Sequence, residues 1–419
     1  MLLDITPLRR FRDYRLLFFG QLISFFGSMM TFVVVPVQMF QLTHSNLYVG
    51  LLGVSEFIPM FLLAFVGGAL ADAVDRRKML RITEIGQTIT IGILLANSLL
   101  PNPQIWILFL VVAIQAGLAG LQRPSFEALI PRIVPPEYMT AVSALNSLRF
   151  NIGAIISPIV GGLIASQFSA SWAYAIDLVT FMASLLAVWM IQSVPPPDNA
   201  DQPNLESIKK GFRYAISRQE LLGTYLIDIN AMLFGMPKAL FPALAVSFGA
   251  NSIGFFYSAI AGGALVATLT SGWAKHTHKH GLFIVIAAAL WGVAIIFFGL
   301  SSNLYYALVF LGVAGFFDMI SGLFRGTIWN QTIPDHLRGR LAGIEMISFM
   351  TGPMLGDAEA GLIAYWFDLK TSIISGGVMT VVGSVVLALL LPKFVSYDGR
   401  EGLKRKMEEE EIRQTELSV

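Results

Sequence analysis

The stretch LFIVIAAALWGVAIIFFGL, residues 282–300, holds 19 consecutive positions without a charged side chain. A helix needs about 20 apolar residues to cross the hydrocarbon core of a bilayer. A run of this length is too long for a buried strand and too uniformly apolar for an amphipathic surface helix. The stretch therefore predicts a membrane-spanning helix, and the rest of the chain has to be compatible with that environment.

The overall composition agrees with a membrane location. Of the 419 residues, 55% are hydrophobic and 13% are charged, and the mean hydropathy is +0.68. One soluble core cannot hide that much apolar side chain, so lipid has to solvate much of it. Cysteine is absent, which excludes disulfides, thiolate nucleophiles and cysteine metal sites.

Apolar runs separated by polar or Gly/Pro breaks predict twelve spans. In the first half they are 16–40, 48–70, 80–100, 104–121, 141–165 and 172–191, and in the second half 221–248, 252–274, 282–300, 304–324, 341–366 and 372–391. We therefore predict an all-α membrane protein with twelve transmembrane helices.

Positive charges assign sides to the connections, because Lys and Arg accumulate in cytoplasmic loops. Nearly all of the 28 Lys and Arg residues lie at the N-terminus, in every second connection or in the tail. The exceptions are Arg149, Lys238 and Lys370. Arg325 belongs to the connection after the tenth span in this assignment. Both termini are therefore predicted to be cytoplasmic, which requires an even number of helices.

The chain divides near its middle, where Pro195-Pro196-Pro197 precedes a basic stretch. The flanking halves repeat weakly, since residues 161–165 (GGLIA) resemble residues 360–364 (AGLIA). Duplicated halves are typical of transporters, which bind substrate at the repeat interface. We predict an N-terminal six-helix bundle at 1–192, a cytoplasmic linker at 193–220, a C-terminal six-helix bundle at 221–392 and a charged cytoplasmic tail, a solvated helix or disordered, at 393–419.

A charged motif follows the second span at residues 67–78, GGALADAVDRRK. Gly68 would let two helices approach closely, Asp72 could face the positive end of a neighbouring helix, and Arg77 could reach a carboxylate across the halves. The motif resembles the loop signature of the major facilitator superfamily. That resemblance implies a conformational latch formed by Gly68, Asp72, Arg76 and Arg77. The alternative is a charged loop that merely obeys the positive-inside rule.

The fifth span contains a row of small residues around a proline, formed by Gly153, Ser157, Pro158, Gly161 and Gly162. Such a row packs a helix closely against its neighbour, and Pro158 removes a backbone donor and bends the helix. The row resembles the antiporter signature of the same superfamily, with Ser157 at a position usually held by glycine. The resemblance implies a seal against proton leak, and an ordinary packing face is the alternative.

Most of the chain is similar to one group within that superfamily. The similarity is carried by residues 35–38 (VPVQ), 43–45 (THS), Arg149 ahead of 156–158 (ISP), 174–177 (YAID) and 238–242 (KALFP). These segments resemble the bacterial enterobactin exporters and their macrolide-efflux relatives. The resemblance implies the major facilitator fold and export of a siderophore or another amphiphilic molecule, such as a drug, driven by proton motive force without a cofactor. Ala113 occupies the place of an arginine usual in drug/proton antiporters, which leaves the coupling ion open.

Ionisable groups inside the spans mark candidate pathways, because each is costly in lipid unless it faces a cavity or a partner. Eight acids stand against two bases, so not all acids can be paired and ionised. An unpaired buried carboxylate favours the protonated form that a proton carrier needs. A structural role at a helix end is the alternative for each acid, for Asp177 above all. The candidates for the substrate and proton pathway are Glu56, Glu84, Arg149, Asp228, Lys238, Asp318, Glu345 and Glu359.

Two cations and several aromatic residues are candidates for substrate contact. Arg149 and Lys238 could hold an anionic group of the substrate, with snorkelling to lipid headgroups as the alternative for Lys238. Aromatic residues on spans that line the cavity in this superfamily could stack on an aromatic substrate; they are Phe25, Phe26, Phe32 and Tyr257.

Other classes of function lack their motifs. An intramembrane enzyme would need a nucleophile or metal constellation, but the sequence contains neither HExxH nor GxSxG, and three of the five His lie together at 276–280. A membrane sensor would normally bring a soluble output domain. The resemblance to those exporters then implies a non-enzymatic, monomeric secondary transporter, multi-pass in the lipid bilayer of the bacterial inner membrane. It exchanges a small-molecule substrate for protons by alternating access and binds no metal or nucleic acid. The alternatives are a multidrug or macrolide efflux pump, a lysolipid flippase or an uptake symporter of the same fold, and, outside transport, a membrane sensor.

Overall fold

The computed structural model describes residues 4–73, 75–192, 213–334 and 338–418, in which the regular structure is helical and no strand occurs. The helices of the first half are α1 (Thr6–Arg10), α2 (Arg12–Thr43), α3 (Asn46–Ala73), α4 (Arg76–Ser98), α5 (Ile105–Ile133), α6 (Met139–Gln167) and α7 (Ala170–Met190). Those of the second half are α8 (Gln219–Gly235), α9 (Phe241–Phe248), α10 (Ser252–Thr270), α11 (His280–Leu300), α12 (Leu304–Thr332), α13 (Arg338–Trp366), α14 (Leu369–Leu390), α15 (Pro392–Val395) and α16 (Gly399–Ser418). Short helical turns connect some of them.

Eleven helical segments of the described chain are long and apolar enough to cross a membrane. They match all of the predicted spans except the eleventh, whose position is occupied by α13. The prediction of an all-helical, multi-pass membrane protein is therefore confirmed. The count of twelve spans and the cytoplasmic position of the termini stay predictions.

The predicted seventh span, 221–248, is not one continuous helix. Helix α8 ends at Gly235, a short turn covers Lys238–Leu240, and α9 begins at Phe241. The break has a local cause, because Pro237 and Pro242 lack the backbone N–H that a continuous helix would use. Backbone groups freed in this way are tolerated at membrane depth where they are buried in protein or line a cavity.

The chain forms two compact units. Unit 1 comprises Met1–Pro203 together with Lys238–Ser258, and unit 2 comprises Asn204–Pro237 together with Ala259–Val419. The segment after the helix break thus belongs with the N-terminal helices, although it lies in the second half of the sequence. The boundaries given above for the two six-helix bundles stay a prediction.

In unit 1, α2 and α7 approach each other closely along a face of small residues. A Cβ added to Gly27 would lie 3.0 Å from the Cα of Asp177, and one added to Gly20 would lie 3.0 Å from the Cβ of Ala187. Contact at this distance lets side chains of the two helices form hydrogen bonds in place of lipid contacts. The close approach places Asp177 directly against the backbone of α2.

In unit 2, aromatic side chains fill the core. Trp291 of α11 and Phe324 of α12 are fully buried, as is Phe394 of α15. The ring of Phe394 lies against Gly223 of α8, where a Cβ would collide with it. Small residues therefore set the helix spacing in unit 2 as they do in unit 1.

The C-terminal tail is helical over Gly399–Ser418, and its first turns contact unit 2. Lys406 is buried and its Nζ donates to the carbonyl of Asn330 at 3.5 Å. Asp398 caps the start of α16, where its carboxylate accepts the backbone N–H of Arg400 at 2.9 Å. Hydrogen bonds from Arg400 lower the pKa of Asp398 below its ordinary value. The beginning of the tail is therefore an ordered part of unit 2.

We expect Gly27→Ala to destabilise the protein strongly. The added methyl group has no room between α2 and α7, and overpacking of this kind costs about 1–3 kcal/mol. The control is Gly262→Ala in α10, because a Cβ there meets nothing within 4 Å. The midpoint of thermal unfolding in detergent should fall by several degrees for Gly27→Ala only. Equal midpoints for both variants would contradict the close contact.

Candidate functional site

A cation and two aromatic rings converge in unit 1 at the helix break. The ammonium of Lys238 lies over the ring of Phe32 from α2, 5.6 Å from its centroid. Tyr257 of α10 meets the same ring edge-on, also at 5.6 Å. Phe32 is 37% exposed, so part of its ring is accessible. These three side chains form the Lys238 cluster. It offers a ligand a positive charge and the accessible ring of Phe32, which the buried Tyr257 supports from one side.

Arg149 of α6 is the second cation of unit 1. Its guanidinium lies over the ring of Phe126 at 5.2 Å, and its Nε and Nη1 atoms are buried without a hydrogen-bond partner among the described residues. Unused donors of a buried guanidinium suit an anionic group, which accepts charge-assisted hydrogen bonds. Arg149 and Lys238 come from different halves of the sequence, yet both lie in unit 1.

The other aromatic candidates pack inside unit 1 as well. Phe25 contacts Phe150 with a centroid distance of 5.6 Å, and its ring occupies the space beside Gly153. Phe26 is half-buried on the same helix. Of the four aromatic candidates, the structure therefore brings Phe32 and Tyr257 together.

Glu84 of α4 is buried at the meeting point of four helices, with 1% of its surface exposed. Its Oε1 atom accepts hydrogen bonds from Gln21 at 2.8 Å, from Gln122 at 3.1 Å and from Ser184 at 3.1 Å. Its Oε2 atom is buried without a partner among the described residues. Neutral donors thus surround this carboxyl group, and no ion pair of Glu84 occurs within the described part of the chain.

Asp177 of α7 is completely buried between α7 and α2. Thr31 donates to its Oδ2 atom at 2.5 Å, and Thr180 donates to its Oδ1 atom at 3.2 Å. The sequence suggested a structural role at a helix end for this residue. Asp177 lies instead well inside α7, and within the described part of the chain its carboxyl group accepts hydrogen bonds from neutral hydroxyl groups.

Unit 2 contains a buried ion-pair cluster that the sequence did not predict. Arg325 of α12 forms a salt bridge with Asp228 of α8 and lies 3.8 Å from a carboxylate oxygen of Asp318. Arg325 was assigned to a cytoplasmic connection, but α12 continues to Thr332 and Arg325 is only 6% exposed. Its burial is tolerated because the guanidinium is paired. The sequence did contain a sign of this cluster. Asp318 and Arg325 are seven residues apart, a spacing that places opposite charges on one face of a helix.

The remaining acidic candidates are scattered. Glu56 of α3 and Glu359 of α13 are half-buried. The side chain of Glu345 lies outside the described residues, so its predicted part in the pathway stays a prediction. Among the described candidates, Glu84, Arg149 and Lys238 belong to unit 1, and Asp228 and Asp318 belong to unit 2.

Half of the predicted latch can be described. The surroundings of Gly68 and the side chain of Asp72 lie outside the part that the structure describes. Arg76 is 5% exposed at the start of α4. Arg77 donates to the carbonyl oxygen of Trp189 at 2.6 Å, where we expected a carboxylate. The carbonyl groups at the C-terminal end of α7 carry partial negative charge, which explains this partner.

The small-residue row of α6 packs against two different elements of unit 1. Gly153 faces Phe25 and Gly161 faces the backbone of Met30, both on α2. Gly162 faces the backbone of Gly254 at the start of α10, and the carbonyl of Pro158 lies against Gly254 as well. Ser157 is completely buried on the same helix. The row thus allows close helix contact, while its predicted role as a seal stays a prediction.

Together, these features define a class of protein, a helical multi-pass membrane transporter with a broken span and buried ionisable groups. The chain belongs to the transmembrane secretion effector family of the major facilitator superfamily, whose family model matches residues 4–415. The predicted superfamily is therefore confirmed.

Curated relatives extend over nearly the whole chain. The enterobactin exporter EntS of Citrobacter koseri is 29% identical over 394 residues, which cover 93% of this chain and 94% of that protein. EntS of Escherichia coli O1:K1 is 29% identical over 395 residues, with the same coverage. Family and relatives together identify a membrane transporter that exports a small molecule.

Solved structures of other transporters share the fold. A mutant of the peptide transporter POT has a TM-score of 0.74 at 11% identity and covers 92% of this chain and 95% of its own. A mutant of the nucleoside transporter NupG has a TM-score of 0.73 at 14% identity and covers 90% of this chain and 99% of its own. At such identities the likeness concerns the fold alone.

We expect Arg325→Gln to destabilise unit 2, because it leaves Asp228 buried without its cation. Removing one partner of a buried pair costs about 3–5 kcal/mol. The double variant Arg325→Gln with Asp228→Asn removes both charges and should recover much of the loss. Thermal unfolding of the two variants in detergent measures the difference. A double variant no more stable than Arg325→Gln alone would show that the pairing does not stabilise unit 2.

Proposed function

We propose that this protein exports an amphiphilic organic molecule with an aromatic ring and a negative charge, a siderophore such as enterobactin, from the cytoplasm across the bacterial inner membrane. Export is coupled to proton entry by antiport. The observation that carries this substrate class is the Lys238 cluster, because one cation beside two aromatic rings complements such a molecule. The end-to-end similarity to EntS supports the same class.

The broken seventh span gives the substrate site its position. Transporter sites form where a discontinuous helix frees backbone groups, and Lys238 lies at such a break. Lys238 binds the anionic group of the substrate. Phe32, which Tyr257 contacts edge-on, stacks on the aromatic ring of the substrate. Arg149 offers a second anion contact on α6.

Export proceeds by alternating access, with the contact between α6 and the start of α10 as a gate. Ser258 donates to the carbonyl of Ile155 at 2.6 Å, and Ser166 donates to the side-chain oxygen of Asn251 at 2.7 Å. Helices in contact over glycine either touch or separate with little repacking, which suits a gate. Opening of this gate releases the substrate.

We expect Lys238→Gln to raise the KM for enterobactin export about tenfold, since loss of a partly desolvated charge contact costs about 1–2 kcal/mol. Lys238→Arg is the control, because it keeps the charge and should retain most of the affinity. Efflux is measured from loaded cells that express each form or no transporter.

The same cells discriminate among substrates. Efflux of macrolides without efflux of enterobactin would favour a multidrug pump. Transporter-dependent accumulation in place of efflux would favour an uptake symporter and overturn the direction proposed here.

The alternating-access cycle predicts that a cross-link between α6 and α10 stops export. The chain has no native Cys, so Ser166→Cys combined with Asn251→Cys introduces the only thiol pair. Oxidation should form a disulfide and abolish efflux, and a reductant should restore it. Each single Cys variant is the control. Undiminished efflux from fully cross-linked protein would contradict a gate at this contact.

A further inference from the structure

Two groups of buried polar side chains lie one after the other along the contact between α2 and α7 in unit 1. Ser184 contacts Glu84, and Thr180 and Thr31 contact Asp177. Asp177 and Ser184 are seven residues apart, two helical turns or about 10 Å along the same face of α7. We call these two groups, with Gln21 and Gln122 at the Glu84 end, the polar seam.

The hydrogen bonds of Glu84 are asymmetric. Three donors converge on Oε1, whereas Oε2 is buried and has no partner among the described residues. The side-chain oxygen of Gln87, one turn further along α4, is also buried without a partner. Residues at positions i and i+3 lie on the same side of a helix, so Glu84 and Gln87 are neighbours on α4. A proton on Oε2 of Glu84 would turn this oxygen from an acceptor into a donor, whereas the side-chain oxygen of Gln87 would remain an acceptor.

The packing beside Asp177 favours a proton over a metal cation. Gly27 has no room for a Cβ beside the oxygen atoms of Asp177 and Thr180, so the helix backbones are in contact there. An alkali or alkaline-earth ion would need a cavity and about six oxygen ligands. A proton needs neither.

Charged groups near the seam are engaged elsewhere. On α4, Arg81 donates to the carbonyl of Trp189, and on α5, Arg123 pairs with Glu127 at the surface. The phenol of Tyr174, next to Asp177 on α7, donates to Gln38 of α2 at 2.6 Å. In the described residues, the groups that α2, α4, α5 and α7 turn toward the two carboxyls are therefore uncharged.

We propose that Glu84 and Asp177 are the proton-binding carboxyl groups of this transporter, held neutral in the polar seam. Two ionised carboxylates without a cation would be costly at this depth, whereas two neutral acids are satisfied by hydroxyl and amide partners. Gln21 and Gln122 are half-buried and connect the Glu84 end of the seam to more accessible surface. The proposal rests on proton antiport as the coupling mechanism, but protonation of the seam is measured independently of transport.

Infrared spectroscopy of the full-length protein in lipid tests the protonation directly, because the C=O stretch of a neutral carboxyl group is separate from the bands of a carboxylate. At neutral pH the protein should show such a stretch for each acid. Glu84→Gln should remove one component and Asp177→Asn the other. Thr31→Val is the matched control, because it deletes the hydrogen bond to Asp177 but keeps the carboxyl group. The C=O stretch assigned to Asp177 should therefore change in frequency and not vanish.

Transport supplies the second measurement. Efflux driven by an imposed pH gradient should fall at least tenfold in Glu84→Gln and in Asp177→Asn, and the residual efflux should no longer depend on pH. The proposal would be overturned if Glu84→Gln and Asp177→Asn both left the neutral-carboxyl bands of the unsubstituted protein unchanged, or if these bands vanished only when sodium was added. If both bands are assigned as expected but the protein exports no enterobactin, the proposed protonation of the polar seam stands and the proposed substrate is wrong.

Discussion

A polar group inside a bilayer has to find its partner within the protein, because hydrocarbon offers none. This requirement explains why the regular structure of the described chain is helical. It also explains why the break in the seventh predicted span, at Pro237, lies where protein covers the freed backbone groups. It also explains the glycine and serine residues at helix contacts. Helices that approach through Gly20 and Gly27 bring side-chain donors close enough to satisfy a buried acid on the neighbouring helix.

The buried ionisable groups satisfy this requirement in three different ways. Arg325 is neutralised by acids of unit 2, an arrangement that stabilises the packing of α8 against α12 as long as all charges persist. Lys238 is partly buried, and its ammonium lies over the partly exposed ring of Phe32. Glu84 and Asp177 have only neutral partners among the described residues. The nature of the partner thus distinguishes the ion pair from the proposed ligand site and the proposed proton site. Position within a span alone does not make this distinction.

Sequence reasoning predicted the fold class well, because hydrophobic length and loop charge depend on the bilayer and not on tertiary contacts. It placed Arg325 in a loop because the rule for positive charge treats each residue singly, whereas burial of Arg325 depends on Asp228, nearly one hundred positions earlier. It selected Lys238 and Phe32 as substrate contacts, but their meeting follows from a helix break that brings the segment after Pro237 into unit 1. Asp177 was weighed as a structural residue, since one sequence does not reveal that α2 supplies Thr31 as its donor.

Helix α2 connects the proposed substrate and proton sites physically. Thr31 and Phe32 are adjacent and point about 100° apart around the helix axis. Thr31 faces Asp177 of α7, and Phe32 faces Lys238 at the helix break. A rotation or shift of α2 that separates Phe32 from Lys238 also moves Thr31 against Asp177 and changes the hydrogen bond that satisfies it. If α2 moves as a rigid element, occupation of the proposed substrate site and protonation of the proposed proton site would bias the same displacement, and such a shared element is what coupling between two sites requires.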